Sequence, residues 1–211
     1  MKLTLQDALN KMPLIAVLRG VQPSEVIAIA AALVEAGFTC IEVPLNSPDA
    51  FASIEKLVKN FGDTVLTGAG TITRQDEIDK IVELGGNLLV MPHTDPALIR
   101  HAKSHANTFA IPGCFTPSEV FSAIHAGADA LKLFPAEILT PRGVKAIKSI
   151  LKQKIPLLTN GGITPDNMQE FVKAGTNGFG LGTALYAPGD SALEVANKAR
   201  GFVETMRKLM G

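Results

Sequence analysis

The sequence predicts an α/β protein, a single (β/α)8 TIM barrel preceded by a short N-terminal helix. Eight short apolar segments each precede an amphipathic segment, and this alternation is typical of β/α units. The apolar segments are continuous, as in parallel strands that are covered on both faces. No linker or shift in composition divides the 211 residues, so we expect one barrel domain over residues 1–211. A doubly wound open sheet is the alternative, but the first turn, residues 19–22, lacks a dinucleotide-binding glycine motif.

The elements follow one another in a regular order. Residues 3–12 carry apolar side chains at helical spacing and predict the short first helix. The predicted strands are 14–18, 40–43, 65–69, 88–91, 108–111, 130–134, 156–159 and 178–181. The predicted helices are 23–36, 49–61, 74–84, 96–104, 117–126, 141–151, 165–174 and 191–209. Several helices begin at a proline and end before a glycine, which favours these boundaries.

The composition excludes some partners. Basic and acidic residues balance at 20 each, and the chain has no Trp and one Tyr. We therefore expect no nucleic acid or membrane partner, and local groups must hold any anionic ligand. Cys40 and Cys114 are far apart, with no CxxC motif and no signal peptide. This predicts free thiols and a cytoplasmic location.

Lys132 lies inside the apolar segment Ala130–Phe134. Burial of an ammonium group is costly and favours its neutral form, and a neutral amine can form a Schiff base with a carbonyl. The alternative is a lysine at the end of a strand whose charged group extends to water.

Charged residues and glycines collect where the predicted strands end, which is where barrel enzymes place their active sites. Glu42 lies within an apolar strand and is a candidate proton shuttle, or alternatively a structural partner for Arg19 or Lys132. Glycine-rich loops follow strands seven and eight and predict phosphate binding; they contain Gly161, Gly162, Gly180, Gly182 and Thr183. Thr71 follows another glycine-rich segment, where it binds a carboxylate or caps the next helix.

Other patterns predict no metal site and no cofactor. His101 and His105 have the i, i+4 spacing of a metal-binding pair, but their polar surroundings favour a solvated helix face. His125 suits the last turn of its helix. We see no cluster of carboxylates suited to Mg²⁺.

Several segments together resemble the class I aldolases of 2-keto-3-deoxy-6-phosphogluconate and 2-keto-3-deoxy-6-phosphogalactonate. The resemblance rests on residues 18–20, 41–48, 68–71, 111–113, 131–135, 161–165 and 180–182. It implies a homotrimeric lyase without a metal that cleaves a phosphorylated 2-keto-3-deoxy sugar acid to pyruvate and D-glyceraldehyde 3-phosphate. It implies Lys132 as the Schiff-base lysine and Glu42 as the general acid/base. The substrate-binding residues that we expect are Arg19, Thr71, Pro92, Phe134, Asn160, Gly161, Gly162, Gly180, Gly182 and Thr183.

The residues favour the galactonate branch of this family. Residues 44–48 resemble that branch, since the gluconate branch tends to have an arginine at the position of Asn46. Asn160 departs from both branches, and residues 133–137 resemble the gluconate type. Activity on 2-dehydro-3-deoxy-6-phosphogluconate or 4-hydroxy-2-oxoglutarate is therefore the alternative. More remote alternatives are a sugar-phosphate isomerase or epimerase and a non-catalytic phosphoanion-binding barrel.

Overall fold

The protein is a parallel barrel surrounded by helices, seen in a computed structural model that describes residues 3–211. Its strands are β1 Leu14–Val17, β2 Cys40–Pro44, β3 Leu66–Gly70, β4 Leu88–Val90, β5 Phe109–Ile111, β6 Gly113–Cys114, β7 Leu131–Leu133, β8 Leu157–Asn160 and β9 Gly178–Leu181. Its helices are α1 Leu5–Lys11, α2 Val26–Ala36, α3 Ala50–Phe61, α4 Gln75–Glu83, α5 Pro96–Ser104, α6 Pro117–His125, α7 Ala136–Ile150, α8 Met168–Ala174 and α9 Ala192–Met210.

The barrel has the eight strand positions that the sequence predicts, with the fifth divided in two. The strand order is β5-β4-β3-β2-β1-β9-β8-β7-β6, and every pair is parallel. Pro112 separates β5 from β6 because proline has no N–H to donate to a neighbouring strand. Its carbonyl still accepts a hydrogen bond from the N–H of Lys132 (2.9 Å), and the N–H of Asp129 donates to Ala110 (3.0 Å). These bonds close the barrel, and the (β/α)8 prediction is confirmed.

The short first helix closes the N-terminal end of the barrel. Leu5, Ala8 and Leu9 form one buried cluster with inward-facing residues of the strands, including Ile15 and Cys40. The side chain of Thr39 fixes this helix by donating to the carbonyls of Ala8 and Met12. Any cavity in the barrel must therefore open at the other end, where the strands finish.

Alternation along each strand decides which side chains face the interior. Leu131 and Leu133 belong to the larger apolar cluster between strands and helices, so Lys132 faces inward. Ile41 and Val43 belong to the same cluster, and Glu42 between them faces inward too. The inward-facing layer next to α1 includes Cys40 and Ala130. Glu42 and Lys132 each lie two residues further along the chain, toward the open end of the barrel.

Three helices begin three or more residues from the predicted start, and the helix expected at Pro23 begins at Val26. The helix expected at Pro165 begins at Met168, because Asn167 bridges a preceding turn: it accepts from the N–H of Thr164 (3.0 Å) and donates to the carbonyl of Gly162 (2.8 Å). Helix α7 begins at Ala136 and breaks at Thr140, after which it continues from Pro141. Within residues 3–211 no helix combines the length and apolar character needed to cross a lipid bilayer.

Candidate active site

The side chain of Lys132 is almost completely buried, with 7% of the residue exposed. Desolvation lowers the pKa of its ammonium group, and the positive charge of Arg19 lowers it further. The carboxylate of Glu42 acts in the opposite direction. The side chain lies over the ring of Phe134, with Nζ 5.0 Å from the ring centroid. Lys132 therefore combines a partly apolar environment with access to the cavity described below.

Glu42 is buried more deeply, with 1% exposed, and its Oε2 has no hydrogen-bond partner among the described residues. Burial raises the pKa of its carboxyl group to about 7, although the charges of Lys132 and Arg19 lower it. Gly70 is required beside it, since a β-carbon there would overlap the carboxylate. A carboxyl group with a pKa near neutrality can both accept and donate a proton.

Lys132 and Glu42 influence each other without direct contact. Each contributes to the pKa of the other, yet their charged atoms are not within the 4.0 Å of an ion pair. Glu42 therefore forms no direct ion pair with Lys132 or Arg19, although both charges act on its carboxyl group.

A cavity of about 410 Å³ opens beside Lys132 at the C-terminal ends of the strands. Most of the predicted substrate-binding residues line it, namely Arg19, Phe134, Asn160, Gly161, Gly162, Gly180, Gly182 and Thr183. The N–H groups of Gly162, Gly182 and Thr183 donate to no other residue in the range 3–211. The two glycine-rich loops thus present free donors to one side of the cavity, as an anion requires.

Asn160 ends β8 and is buried against β9. A β-carbon on Gly180 would overlap its side-chain amide, so the absence of a side chain at position 180 makes room for it. The amide lines the same cavity as Lys132 and the glycine loops.

Arg19 is held from two sides. Its guanidinium donates to the side-chain oxygen of Asn46 and to Thr71 Oγ1, the second at 3.4 Å. The neighbouring N–H of Gly20 donates to Ser47 Oγ (2.9 Å). Asn46 and Ser47 were not among the predicted site residues, although their place directly after β2 is the signal that could have identified them.

Three predicted site residues lie outside the cavity lining, namely Glu42, Thr71 and Pro92. Glu42 is buried beside Gly70. Thr71 reaches the site through Arg19, and it does not cap the next helix, which follows Arg74. The carbonyl of Pro92 lies against Gly113 at the adjoining strands.

Glu137 was not predicted as a site residue, but it lines the cavity and packs across Gly161 and Gly162. It lies in the first turn of α7, the helix that follows the strand carrying Lys132.

The fold and the site together define a class of protein: a (β/α)8 barrel with a buried lysine and a buried glutamate at the end where a cavity presents free backbone donors. The family profile described as KDPG and KHG aldolase matches residues 5–201. The chain therefore belongs to the KDPG and KHG aldolase family, whose members are lyases.

Individual relatives agree with this family. The chain is 41% identical over 199 residues to "2-dehydro-3-deoxy-6-phosphogalactonate aldolase" of Escherichia coli (strain K12), covering 94% of this chain and 97% of the relative. It is 43% identical over 187 residues to "Probable 2-dehydro-3-deoxy-6-phosphogalactonate aldolase" of Rhizobium meliloti (strain 1021), covering 89% and 88%. A solved structure described as "Native KDPGal structure" superposes with a TM-score of 0.93 at 38% identity, covering 100% of this chain and 99% of that one.

Proposed function

We propose that this protein is a class I aldolase that cleaves 2-dehydro-3-deoxy-6-phosphogalactonate to pyruvate and D-glyceraldehyde 3-phosphate. The observation that carries the proposal is the buried amine of Lys132, with its lowered pKa, in a cavity that also presents free backbone donors. The first feature suits imine formation with a keto acid, and the second suits a phosphate at the other end of the substrate.

The glycine loops would hold the phosphate. The unpaired N–H groups of Gly162, Gly182 and Thr183 offer three donors to anionic oxygens. Arg19, fixed by Asn46 and Thr71, supplies a positive charge near Lys132. Arg19 would bind the substrate carboxylate, with Thr71 orienting its guanidinium. Pro92 remains a proposed contact on the side of Gly113.

Imine formation would begin with attack by the neutral amine of Lys132 on the C2 ketone of the substrate. The resulting carbinolamine takes up a proton from solvent and loses water, which gives a protonated imine. This positive imine is an electron sink for the carbon chain. Desolvation and Arg19 favour the neutral amine before attack, because both lower the pKa of Lys132.

Cleavage would then use Glu42. Its carboxylate takes the proton of the C4 hydroxyl, directly or through water, and the C3–C4 bond breaks. The bonding electrons pass to the imine, which becomes an enamine, and D-glyceraldehyde 3-phosphate leaves. The carboxyl group of Glu42, with its pKa of about 7, returns a proton to C3, and water hydrolyses the pyruvate imine and frees Lys132.

The substrate assignment rests on the two relatives named for galactonate and on the segment around Asn46. One observation supports the gluconate epimer as a second substrate beside the galactonate compound. Asn160 places a polar amide in the cavity, where it would bind a C4 hydroxyl of either configuration.

A coupled assay of pyruvate release with both C4 epimers tests this function. We expect faster turnover of the galactonate compound and complete loss of activity in Lys132→Ala. The matched control is Lys145→Ala, which removes an exposed lysine from α7 and should keep full activity. Comparable rates for both epimers would overturn the galactonate assignment. Pyruvate release by Lys132→Ala at the wild-type rate would overturn the role of the lysine.

The same proposal includes a homotrimer and a cytoplasmic location. Ile138 and Phe115, which follow the neighbouring strands β7 and β6, are 70% and 38% exposed and offer apolar surface for a contact between subunits. Cys40 and Cys114 are both free and buried, which suits a reducing compartment. Light scattering after gel filtration should give three times the mass of one chain, and a monomer would contradict the trimer.

A further inference from the structure

Two histidines and an aspartate converge on the outer helical layer of the barrel. Asp79 lies on α4, His101 lies on α5, and His105 is the residue at which α5 ends. The Nε2 atoms of the two histidines lie 2.7 Å and 3.0 Å from the same Oδ1 of Asp79. The i, i+4 spacing on one helix supplies the histidine pair, and the neighbouring helix supplies the carboxylate.

The spacing of these atoms suits a small divalent ion. One donor atom from each of the three residues lies within 4.8 Å of the other two. Tetrahedral Zn²⁺ with bonds of about 2.0–2.2 Å separates neighbouring ligand atoms by about 3.4 Å. The distances from Asp79 Oδ1 to the two histidine Nε2 atoms, 2.7 Å and 3.0 Å, are shorter than this separation between ligand atoms by less than 1 Å. Small outward rotations of these partly exposed side chains would admit the ion.

The charges around the three residues also leave the carboxylate available. Lys80, next to Asp79, pairs with Glu83, and Arg74 pairs with Asp76 and Glu77. In the part of the chain that the structure describes, both ion-pair partners of Asp79 are the histidines.

The side chains of His101 and His105 are about one quarter exposed and that of Asp79 is about half exposed. An ion and a water molecule can therefore reach the cluster. Imidazole and carboxylate together suit Zn²⁺, Ni²⁺ and Cu²⁺. We propose that Asp79, His101 and His105 form a binding site for a divalent transition-metal ion, with water as a further ligand, that links α4 to α5.

The site is outside the proposed catalytic cavity, and its expected effect is on stability. No residue between 3 and 211 hydrogen-bonds the Nδ1 atoms of His101 or His105, and such missing support costs about 10–100-fold in metal affinity. An ion that binds only the folded protein still raises its melting temperature. With Zn²⁺ at about 100 times its Kd, the rise should be roughly 5–10 °C.

Titration of the metal-free full chain with ZnCl2 tests the proposal. The protein is treated with EDTA, dialysed, and followed by isothermal titration calorimetry and thermal unfolding. We expect one Zn²⁺ per chain and a higher melting temperature. His101→Gln and Asp79→Asn should each weaken binding at least tenfold, whereas His125→Gln, at the end of α6, should bind as the wild type does.

A cobalt spectrum identifies the type of ligand that binds the ion. Binding of Co²⁺ should give a visible spectrum without thiolate charge-transfer absorption, which excludes Cys40 and Cys114 as ligands. Circular dichroism of the metal-free variants checks that they fold. Absence of Zn²⁺ binding to the wild type, or equal binding by the double variant His101→Gln/His105→Gln, would overturn the proposal. Pyruvate release should be the same with EDTA and with Zn²⁺, so this test is independent of the aldolase assignment.

Discussion

Replacement of Glu42 by glutamine should stabilise the folded protein at alkaline pH. The pKa of the Glu42 carboxyl rises from 4.5 to about 7 on folding, because burial disfavours the carboxylate more than Lys132 and Arg19 favour it. Below pH 4.5 the group is protonated in both states and has no linked effect. Between pH 4.5 and about pH 7 the folded state retains a proton that the unfolded state has lost, so the stability of the folded state falls as the pH rises. Above pH 7 the full cost of the buried carboxylate remains.

The size of this cost follows from the pKa values. A difference of about 2.5 pKa units corresponds to about 3 kcal/mol at about 1.4 kcal/mol per unit. Glutamine has a similar shape and cannot ionise. Relative to the wild type, Glu42→Gln should therefore gain about 3 kcal/mol in the free energy of unfolding between pH 4 and pH 8. For a chain of this size, that is a relative gain in melting temperature of roughly 6–12 °C.

The measurement is urea unfolding of both proteins across that pH range, at one protein concentration so that subunit association does not contribute. Glu55→Gln, an exposed glutamate on α3, is the matched control, and its difference from wild type should not depend on pH in this way. If the difference between Glu42→Gln and wild type were the same at both ends of the range, the carboxyl would not have its raised pKa. Burial would then not be the factor that sets its protonation.

Two further substitutions test the walls of the cavity. Glu137→Gln removes a negative charge beside the glycine loops and should strengthen inhibition by inorganic phosphate roughly fivefold. Two unit charges about 4 Å apart repel by about 1 kcal/mol even in water, and this energy corresponds to about that change in affinity. Unchanged inhibition would place the phosphate elsewhere. Gly180→Ala places a β-carbon against Asn160 and should lower the free energy of unfolding by about 1–3 kcal/mol and alter the ratio of rates for the two C4 epimers. Gly201→Ala on α9, where a β-carbon meets nothing within 4 Å, is its control and should not destabilise the protein.

The sequence was sufficient to predict the barrel because its local signals agree with one another. Continuous apolar strands, prolines at helix starts and glycines at helix ends all indicate the same β/α repeat. The exceptions involve hydrogen bonds that a local pattern does not reveal. Asn167 delays the start of α8, and the missing N–H of Pro112 divides the fifth strand.

The candidate site could be predicted only where a residue is unusual within its own segment. Lys132 and Glu42 are charged residues in apolar strands, so their inward orientation follows from alternation. Asn46 and Asp79 are ordinary polar residues in their own segments. The fold places Asn46 beside Arg19, which is 27 positions away in the sequence. It places Asp79 beside His101 and His105, which are 22 and 26 positions away. Contacts of that sequence separation depend on tertiary packing.

Reductive trapping is the most direct test of imine formation at Lys132. The protein is incubated with pyruvate and sodium borohydride, digested, and analysed by mass spectrometry. We expect a reduced pyruvate adduct on the peptide that contains Lys132, and no adduct on that peptide in Lys132→Ala. An unmodified Lys132 in wild type, with pyruvate absent or scattered over exposed lysines, would contradict an imine at this amine.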